Sequence, residues 1–289
     1  MTIKTIGVIG AGTLGSGVAA LAAVSSFDVL LHDICPETLK ATMHTIKGDF
    51  RQRVAEGRLS TIEATEALAR IHPRHDFDDL QDADFVIEAA VEKLDVKQGI
   101  LKRLDQIVAP HVILATSTSS LSITAIASAT DTPESVVGMH FVNLPLGNAL
   151  VEIVRGKLTS DNAVKTAYDL VINFQKIPIL CNDTPGFIVN RIMRLFFGEA
   201  LRLFDEGSAT VAEIDRIVRL EGGFRFGPFE LLDSIGIDTD LEVTAILYDR
   251  FKRDARFAPH PFQQKMTESG TVGKKTTRGF YTYKSKSAS

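Results

Sequence analysis

Two ionisable residues stand in two neighbouring apolar stretches of the chain, and their types and spacing could support acid–base chemistry. His140 lies in SVVGMHF and Glu152 in LVEIV, and both are equidistant from residue 146 in the intervening loop. If the stretches form an antiparallel hairpin, the two side chains stand directly opposite, with Cβ atoms about 5 Å apart. A carboxylate there would accept the N–H of one imidazole nitrogen and stabilise the protonated ring, and the other nitrogen could then exchange a proton.

This pair has two interpretations. A buried structural ion pair would satisfy both groups and would need no ligand. Beside a nicotinamide cofactor, in contrast, the histidine would take the hydroxyl proton of an alcohol while the hydride leaves its carbon. The two interpretations differ in whether the chain also binds such a cofactor.

A glycine-rich turn near the start of the chain predicts that the chain binds a nicotinamide cofactor. Gly10, Gly12 and Gly15 have G-x-G-x-x-G spacing, after an apolar strand and at the start of a small-residue helix. Gly10 would permit the tight turn, Gly12 would let a pyrophosphate approach the backbone, and Gly15 would let the helix pack on the strand. Asp33 ends the next predicted strand, where its carboxylate can bond the ribose hydroxyls and would repel a 2′-phosphate. We therefore predict that the cofactor is NAD rather than NADP.

Strands and helices alternate over the first part of the chain. The strand candidates are the apolar stretches TIGVIG, DVLLHD, ADFVIEA, HVILATS, SVVGMHF, LVEIV and IPILC. The helix candidates between the first of them are TLGSGVAALAAVSS, PETLKATMHTIKGDFRQRVAEGR, STIEATEALARI and KLDVKQGILKRLDQIV. Such alternation is typical of a parallel sheet that is covered on both faces.

Beyond Asn182 the apolar spacing becomes helical. We therefore predict an α/β fold in which a Rossmann-like, NAD-binding sheet domain over residues 1–183 carries the His/Glu pair. An all-helical C-terminal domain follows over residues 184–289.

Composition and charge exclude several classes of function. The formal net charge is −4 and no lysine–arginine run is dense, so we predict no nucleic-acid partner. The longest apolar segment, residues 14–31, is interrupted by glycines and Asp28 and is too polar to span a membrane. The N-terminal apolar stretch is too short for a secretory signal, and Cys35 and Cys181 have neither metal-ligand nor redox-motif spacing. We expect a cytoplasmic protein without a metal site.

Eight ordered motifs carry a resemblance to a known family. They are GVIGAGTLGSGVA, DFVIEAAVEKLDVK, TSSLSITAIA, GMHFVN, LVEIVRG, DTPGFIVNRI, FGPFELLDSIGID and GKKTTRGFYTY, and they run nearly from end to end of the chain. The sequence resembles the L-3-hydroxyacyl-CoA dehydrogenase family, and within it the bacterial 3-hydroxybutyryl-CoA dehydrogenases. The resemblance implies an NAD-binding domain, a helical C-terminal domain that dimerises, and an active site in the cleft between them.

The resemblance also implies roles for individual residues. It implies that His140 is the acid–base residue and that Glu152 orients it. It further implies that Ser119 and Asn190 bond the reacting oxygen of the substrate or its thioester carbonyl. From the residues alone, Ser119 could instead only cap the next helix, and Asn190 could simply face solvent.

Glu92 and Lys97, in VEKLDVK, match the family's second group of cofactor contacts. From the residues alone, these two could equally be ordinary solvated charges at the start of a helix. Spacing by itself does not select them.

The sequence departs from the family pattern at several positions. Leu144 stands where the family usually has proline, Asn148 lies near its usual lysine, and Ser117 replaces its usual asparagine. In the long polar helix, Arg51 and Glu56 lie near the points where family members offer a serine and a lysine to the CoA moiety. These departures leave the acyl group and the CoA contacts open.

We predict an NAD-dependent oxidoreductase of fatty acid metabolism that interconverts an L-3-hydroxyacyl-CoA and its 3-ketoacyl-CoA. The expected substrate is a short-chain acyl-CoA such as 3-hydroxybutyryl-CoA, and the expected assembly is a homodimer through the C-terminal domain. Two alternatives stay open. One is a dehydrogenase of a free hydroxy acid such as gulonate or carnitine, against which Phe141, TSSLSI and VGKKTTRGFY argue. The other is a catalytically idle NAD-binding protein.

Overall fold

The strands of the first part of the chain form one eight-stranded sheet. The computed structural model describes residues 2–142, 145–147 and 150–284. In chain order the strands are β1 (Thr5–Ile9), β2 (Asp28–His32), β3 (Ile71–Arg74), β4 (Phe85–Glu88), β5 (Ile113–Thr116), β6 (Val136–Phe141), β7 (Leu150–Arg155) and β8 (Ile177–Asn182). Their order across the sheet is β3-β2-β1-β4-β5-β6-β7-β8.

Neighbouring strands of this sheet are parallel except for β6 and β7. Those two strands pair antiparallel because only residues 142–149 join them, whereas a parallel connection needs about a dozen residues or more. The sheet confirms the predicted Rossmann-like class of this part of the chain.

Helices cover both faces of the sheet. They are α1 (Thr13–Val24), α2 (Pro36–Ala55), α3 (Thr61–Ala69), α4 (Leu94–Ile107), α5 (Ile123–Ala127) and α6 (Asp161–Asn173). Side chains alternate between the faces of a strand, so β2 contributes to two apolar clusters. Val29 and Leu31 pack in one cluster with residues of α1 and α6, whereas Leu30 packs in the other with Leu101 and Leu104 of α4.

Strand β3 was not predicted from the sequence. The helical interpretation of STIEATEALARI was wrong at its end, since α3 stops at Ala69 and Ile71 begins a strand that pairs with Val29. Pro73 weakens the strand signal of IHPR, and proline is tolerated there because β3 is an edge strand.

Residues from Ile188 onward form a second, separate unit, and the first unit comprises Met1–Phe187. The helices of the second unit are α7 (Val189–Asp205), α8 (Val211–Gly222), α9 (Pro228–Ile235), α10 (Ile237–Arg250) and α11 (Pro261–Glu268). Their core contains Phe197, Leu201, Phe229 and Leu232. Among the residues that the structure describes, none of the helices combines the length and apolarity that crossing a membrane requires.

Two buried aspartates hold the GKKTTRGFYTY ending against the helices of the second unit. Asp233 accepts hydrogen bonds from the backbone N–H groups of Phe280 and Tyr281, both at 2.9 Å. Asp215 accepts the hydroxyl of Tyr281 at 2.8 Å. Because burying a charged carboxylate is costly without such partners, these contacts give the motif a structural role in this unit.

Candidate active site

Several of the site residues predicted in the first unit lie at or just after the carboxyl ends of the central strands. Gly10 follows β1, Ser119 follows β5, and His140 is the next-to-last residue of β6. The parallel pairing of β1 with β4, β4 with β5 and β5 with β6 brings these ends to one edge of the sheet. In open α/β sheets this is the edge at which ligands bind.

His140 and Glu152 are cross-strand partners in the β6–β7 hairpin, and Nδ1 of the imidazole lies 2.6 Å from Oε2 of the carboxylate. An ionised carboxylate can only accept, so Nδ1 carries the hydrogen, and Nε2 is the nitrogen that can exchange a proton. The Glu152 side chain is fully buried, and that of His140 keeps 10% exposure. The pair can therefore take a proton at Nε2 and stabilise the resulting charge.

Phe187 packs against the His140 ring, a contact that the sequence did not predict. The ring centroids lie 5.8 Å apart at an interplanar angle of 54°, and Phe187 is buried. Its φ of +48° lies in the left-handed region, where a bulky residue is rare and strained. The aromatic ring covers one side of the imidazole.

The glycine-rich turn has the geometry that a pyrophosphate site needs. Gly10 has a φ of +93°, and a Cβ on Gly15 would lie 1.8 Å from the Gly10 carbonyl oxygen. A Cβ on Gly12 would meet no atom of the described residues within 4 Å, so the backbone is open there. Gly12 is also the N-cap of α1 and makes no side-chain capping bond, which leaves the first-turn N–H groups to an anion.

A cavity of about 910 Å³ opens beside this turn. Its walls include the glycine turn, Asp33 at the end of β2, residues 89–91 after β4, and Arg103 of α4. The two oxygens of Asp33 accept the backbone N–H groups of Ala11 at 2.7 Å and Cys35 at 2.9 Å. The carboxylate is thus fixed at the cavity wall, and the cavity has the size and the polar groups to hold a dinucleotide.

The loop of the β6–β7 hairpin contacts the helix that begins at the glycine turn. A Cβ on Gly17 of α1 would lie 2.7 Å from Cδ of Pro145, so the absence of a side chain lets the loop approach. Leu146 packs against the apolar cluster that contains residues of α1. The hairpin that carries His140 and Glu152 is therefore anchored on the helix that begins at the glycine turn.

Glu92 lies just before α4, keeps 35% of its side chain exposed and takes part in a polar network. Its Oε1 accepts the hydroxyl of Thr118 at 2.5 Å and the backbone N–H of Ser119 at 3.0 Å. The N–H and hydroxyl of Ser120 also donate to it. Burial raises the pKa of Glu92, but the charge of Lys97 and these hydrogen bonds outweigh burial, so the pKa lies below its ordinary value. The carboxylate stays charged and holds the segment that carries Ser119.

Lys97 is buried, with 1% of its side chain exposed. Its ammonium donates to Oε1 of Glu88 at 2.8 Å and to the carbonyl of Ala90 at 3.2 Å, and it lies 3.5 Å from Glu92. The other oxygen of Glu88 accepts the hydroxyl of Thr116 at 2.6 Å. Sequence reasoning did not single out Glu88. The signal that could have identified it is a charged residue that closes the apolar stretch FVIE.

Asn190 is the second residue of α7 and belongs to the second unit. Its contact with the reacting oxygen stays a prediction.

The structure describes some of the positions at which the sequence departs from the family pattern. Ser117 is buried, and its hydroxyl has no hydrogen-bond partner among the described residues. Arg51 and Glu56 are exposed at the end of α2. Leu144 and Asn148 lie outside the described residues.

Comparison with known proteins gives a consistent result over both parts of the chain. The model of the NAD binding domain of 3-hydroxyacyl-CoA dehydrogenase matches residues 5–184, and that of the C-terminal domain matches residues 186–283. The 3-hydroxybutyryl-CoA dehydrogenase of Bradyrhizobium diazoefficiens is 41% identical over 283 residues, which cover 98% of this chain and 96% of that protein.

Two further relatives extend the comparison. The 3-hydroxyadipyl-CoA dehydrogenase of Escherichia coli is 39% identical over 284 residues, which cover 98% of this chain and 60% of that longer protein. The crystal structure of (S)-3-hydroxybutyryl-CoA dehydrogenase from Ralstonia eutropha superposes with a TM-score of 0.92 at 38% identity. That match covers 98% of this chain and 100% of the other.

Proposed function

The chain belongs to the 3-hydroxyacyl-CoA dehydrogenase family of NAD-dependent oxidoreductases, and we propose from this that it interconverts L-3-hydroxyacyl-CoA and 3-ketoacyl-CoA. The observation that carries the proposal is the His140–Glu152 pair, with Nδ1 and Oε2 2.6 Å apart in a hairpin anchored on the helix of the glycine turn.

In the oxidation direction, Nε2 of His140 takes the proton of the substrate hydroxyl, and in reduction it returns that proton. Glu152 holds the tautomer and stabilises the imidazolium that forms. Ser119 and Asn190 are assigned to hydrogen bonds with the reacting oxygen or the thioester carbonyl. Bound NAD supplies the hydride acceptor.

The acyl group that we propose is short, as in 3-hydroxybutyryl-CoA. The relative named for that substrate is 41% identical to this chain, and the relative named for 3-hydroxyadipyl-CoA is 39% identical. Because these identities are almost equal, a dicarboxylic acyl group is the second candidate. Both candidates are CoA thioesters.

We expect acetoacetyl-CoA to be reduced with NADH and free acetoacetate to be turned over far less well. One panel that monitors NADH absorbance should compare these two compounds with longer 3-ketoacyl-CoAs and 3-oxoadipyl-CoA. Equal rates on the free acid would favour a dehydrogenase of a free hydroxy acid. Tight NADH binding without turnover of any compound would favour a catalytically idle NAD-binding protein.

We expect NADH to bind more tightly than NADPH because the Asp33 carboxylate is fixed at the cavity wall. The 2′-phosphate of NADPH would lie beside the negative charge of Asp33, and such a close pair of like charges costs several kcal/mol. Asp33→Ala should weaken NADH binding, because the Asp33 carboxylate also holds the backbone of the glycine turn at Ala11. The same variant should bring the dissociation constants of NADH and NADPH closer together. Fluorescence titration of each dinucleotide measures both constants. A wild-type preference for NADPH would show that the role given to Asp33 is wrong.

We also propose that the protein is a homodimer through the second unit. Apolar side chains on and just after its helices are exposed, namely Ile192, Ile217, Leu220 and Phe224 at 60%, 61%, 68% and 48%. Ile217 and Leu220 are three positions apart on α8 and share one face of that helix. The ring of Phe224, just beyond the end of α8, is stacked on Phe196 with the ring centroids 5.5 Å apart. An apolar surface of this kind is typical of an interaction site.

Light scattering at micromolar concentration should therefore report a dimer, and Leu220→Glu should shift it toward monomer. Ile62→Glu is the matched control, because Ile62 is 71% exposed on α3 of the first unit. A wild-type monomer, or an equal effect of both variants, would contradict the assignment.

A further inference from the structure

The ring of Phe187 packs on the imidazole of His140, with the ring centroids 5.8 Å apart at an interplanar angle of 54°. Phe187 is the last residue of the first unit and is 3% exposed. It belongs to the apolar cluster that also contains Ile123 of α5 and Val154 of β7. The contact therefore joins His140 to the segment by which the chain leaves the sheet.

The backbone of Phe187 has a conformation that this residue type disfavours. Its φ of +48° follows the φ of +74° of Gly186, so two consecutive residues are left-handed. Glycine adopts this region readily, but a bulky residue stays there only where its surroundings fix it. The N–H of Phe187 donates to the carbonyl of Thr184 at 2.9 Å, and the apolar cluster encloses the ring. These contacts offset the backbone strain.

The segment between β8 and α7 is held at its other end by Asp183. This carboxylate accepts the hydroxyl of Ser122 at 2.7 Å and the backbone N–H of Thr124 at 2.8 Å. The N–H of Asp183 donates to the carbonyl of Arg155, the last residue of β7, at 3.0 Å. Because both ends of the segment are anchored within the first unit, the ring of Phe187 has a fixed position relative to the strands.

The hydrogen bond to Glu152 does not by itself fix the plane of the His140 ring. It holds Nδ1 at 2.6 Å, but the ring can still tilt about this contact, because the torsion that sets the plane of a histidine ring has broad minima. Phe187 covers one face of the imidazole and blocks that movement. The direction of Nε2 is then fixed as well, and proton transfer requires this because the reacting atoms must lie within hydrogen-bond reach.

We infer that Phe187 is a positioning residue, which keeps the plane of the His140 imidazole fixed so that Nε2 points at the reacting oxygen. The inference rests on the proposed function, in which Nε2 exchanges a proton with that oxygen. Without the aromatic ring, one face of the imidazole is open and His140 samples orientations from which proton transfer fails. The chemical step then slows, whereas NADH binding is kept, because other residues line the cavity beside the glycine turn.

The test compares Phe187→Ala with Phe174→Ala, which is the same truncation at a second buried ring. Phe174 is 2% exposed and packs on Phe27, with the ring centroids 5.7 Å apart, in the apolar cluster that contains residues of α1. For each variant, kcat and KM for acetoacetyl-CoA, the NADH dissociation constant and the thermal midpoint are measured.

Both variants should have a lower thermal midpoint, because each leaves a cavity in a packed core. Only Phe187→Ala should lower kcat per folded active site, by roughly tenfold or more, with KM and the NADH dissociation constant within about threefold of wild type. Should Phe187→Ala fail to fold, Phe187→Gly takes its place, because glycine adopts the left-handed conformation without strain while the ring is still removed.

A double-mutant cycle with His140→Gln determines whether Phe187 acts through the histidine. If it does, adding Phe187→Ala to His140→Gln should lower kcat by less than about twofold more, because the two effects are not additive. A role that is independent of the histidine predicts instead that the two effects multiply.

Several results would overturn the inference. Multiplied effects would show that Phe187 acts independently of His140, and a raised KM at normal kcat would make it a substrate contact. An equal loss of kcat in Phe174→Ala would show that any cavity in the first unit slows the reaction. Normal kcat in Phe187→Ala while His140→Gln is slow would refute the inference and leave the proposed function intact. If His140→Gln itself turns over normally, the role given to His140 and the inference are both wrong.

Discussion

Replacing His140 with glutamine should lower kcat by about 10²–10⁴-fold, the usual loss when a general acid–base group is removed. Glutamine keeps a polar amide near Glu152 but cannot take or return a proton at the reacting oxygen. NADH affinity should be retained, because the cavity beside the glycine turn is lined by other residues. The measurement is kcat per folded active site with acetoacetyl-CoA and NADH, beside the NADH dissociation constant.

A matched control for this variant is His111→Gln, since His111 is exposed just before β5. The control should keep both kcat and thermal midpoint. A structural ion pair predicts a different outcome for His140→Gln, in which the thermal midpoint falls and the surviving folded protein turns over near the normal rate. Near-normal turnover would end the catalytic interpretation.

The contact between His140 and Glu152 could be predicted because a hairpin converts sequence spacing into register. Two residues equidistant from the middle of a short loop become cross-strand partners once the strands run antiparallel, and these two do. The glycine turn was predictable for a similar reason. Its constraints are local, since Gly10 needs a positive φ and Gly15 needs close contact with the turn itself.

Contacts between loops of different strands could not be predicted in this way. Glu92 meets the serine-rich segment 26 to 28 positions further along the chain, and Lys97 meets Glu88 across a turn. Hydrophobic periodicity predicts each element but contains no information on which side chains meet at the ends of neighbouring strands. For the same reason the packing of Phe187 on His140 had no signal in the sequence.

The burial of Glu152 determines what its removal should do. A fully buried carboxylate 2.6 Å from Nδ1 fixes the tautomer and the orientation of the ring, and it lies next to the positive charge that forms when Nε2 takes a proton. Glu152→Gln keeps the size and an acceptor oxygen but removes the charge. We therefore expect kcat to fall by roughly tenfold or more, since the ring is less well oriented and its charged form less stable.

The measurement for Glu152→Gln is kcat per folded active site, taken in the oxidation and the reduction direction, beside the thermal midpoint. If the carboxylate orients the ring and balances its charge during proton transfer, kcat falls in both directions while the folded protein persists. A lower thermal midpoint with near-normal turnover per folded site would instead leave Glu152 a purely structural partner of His140.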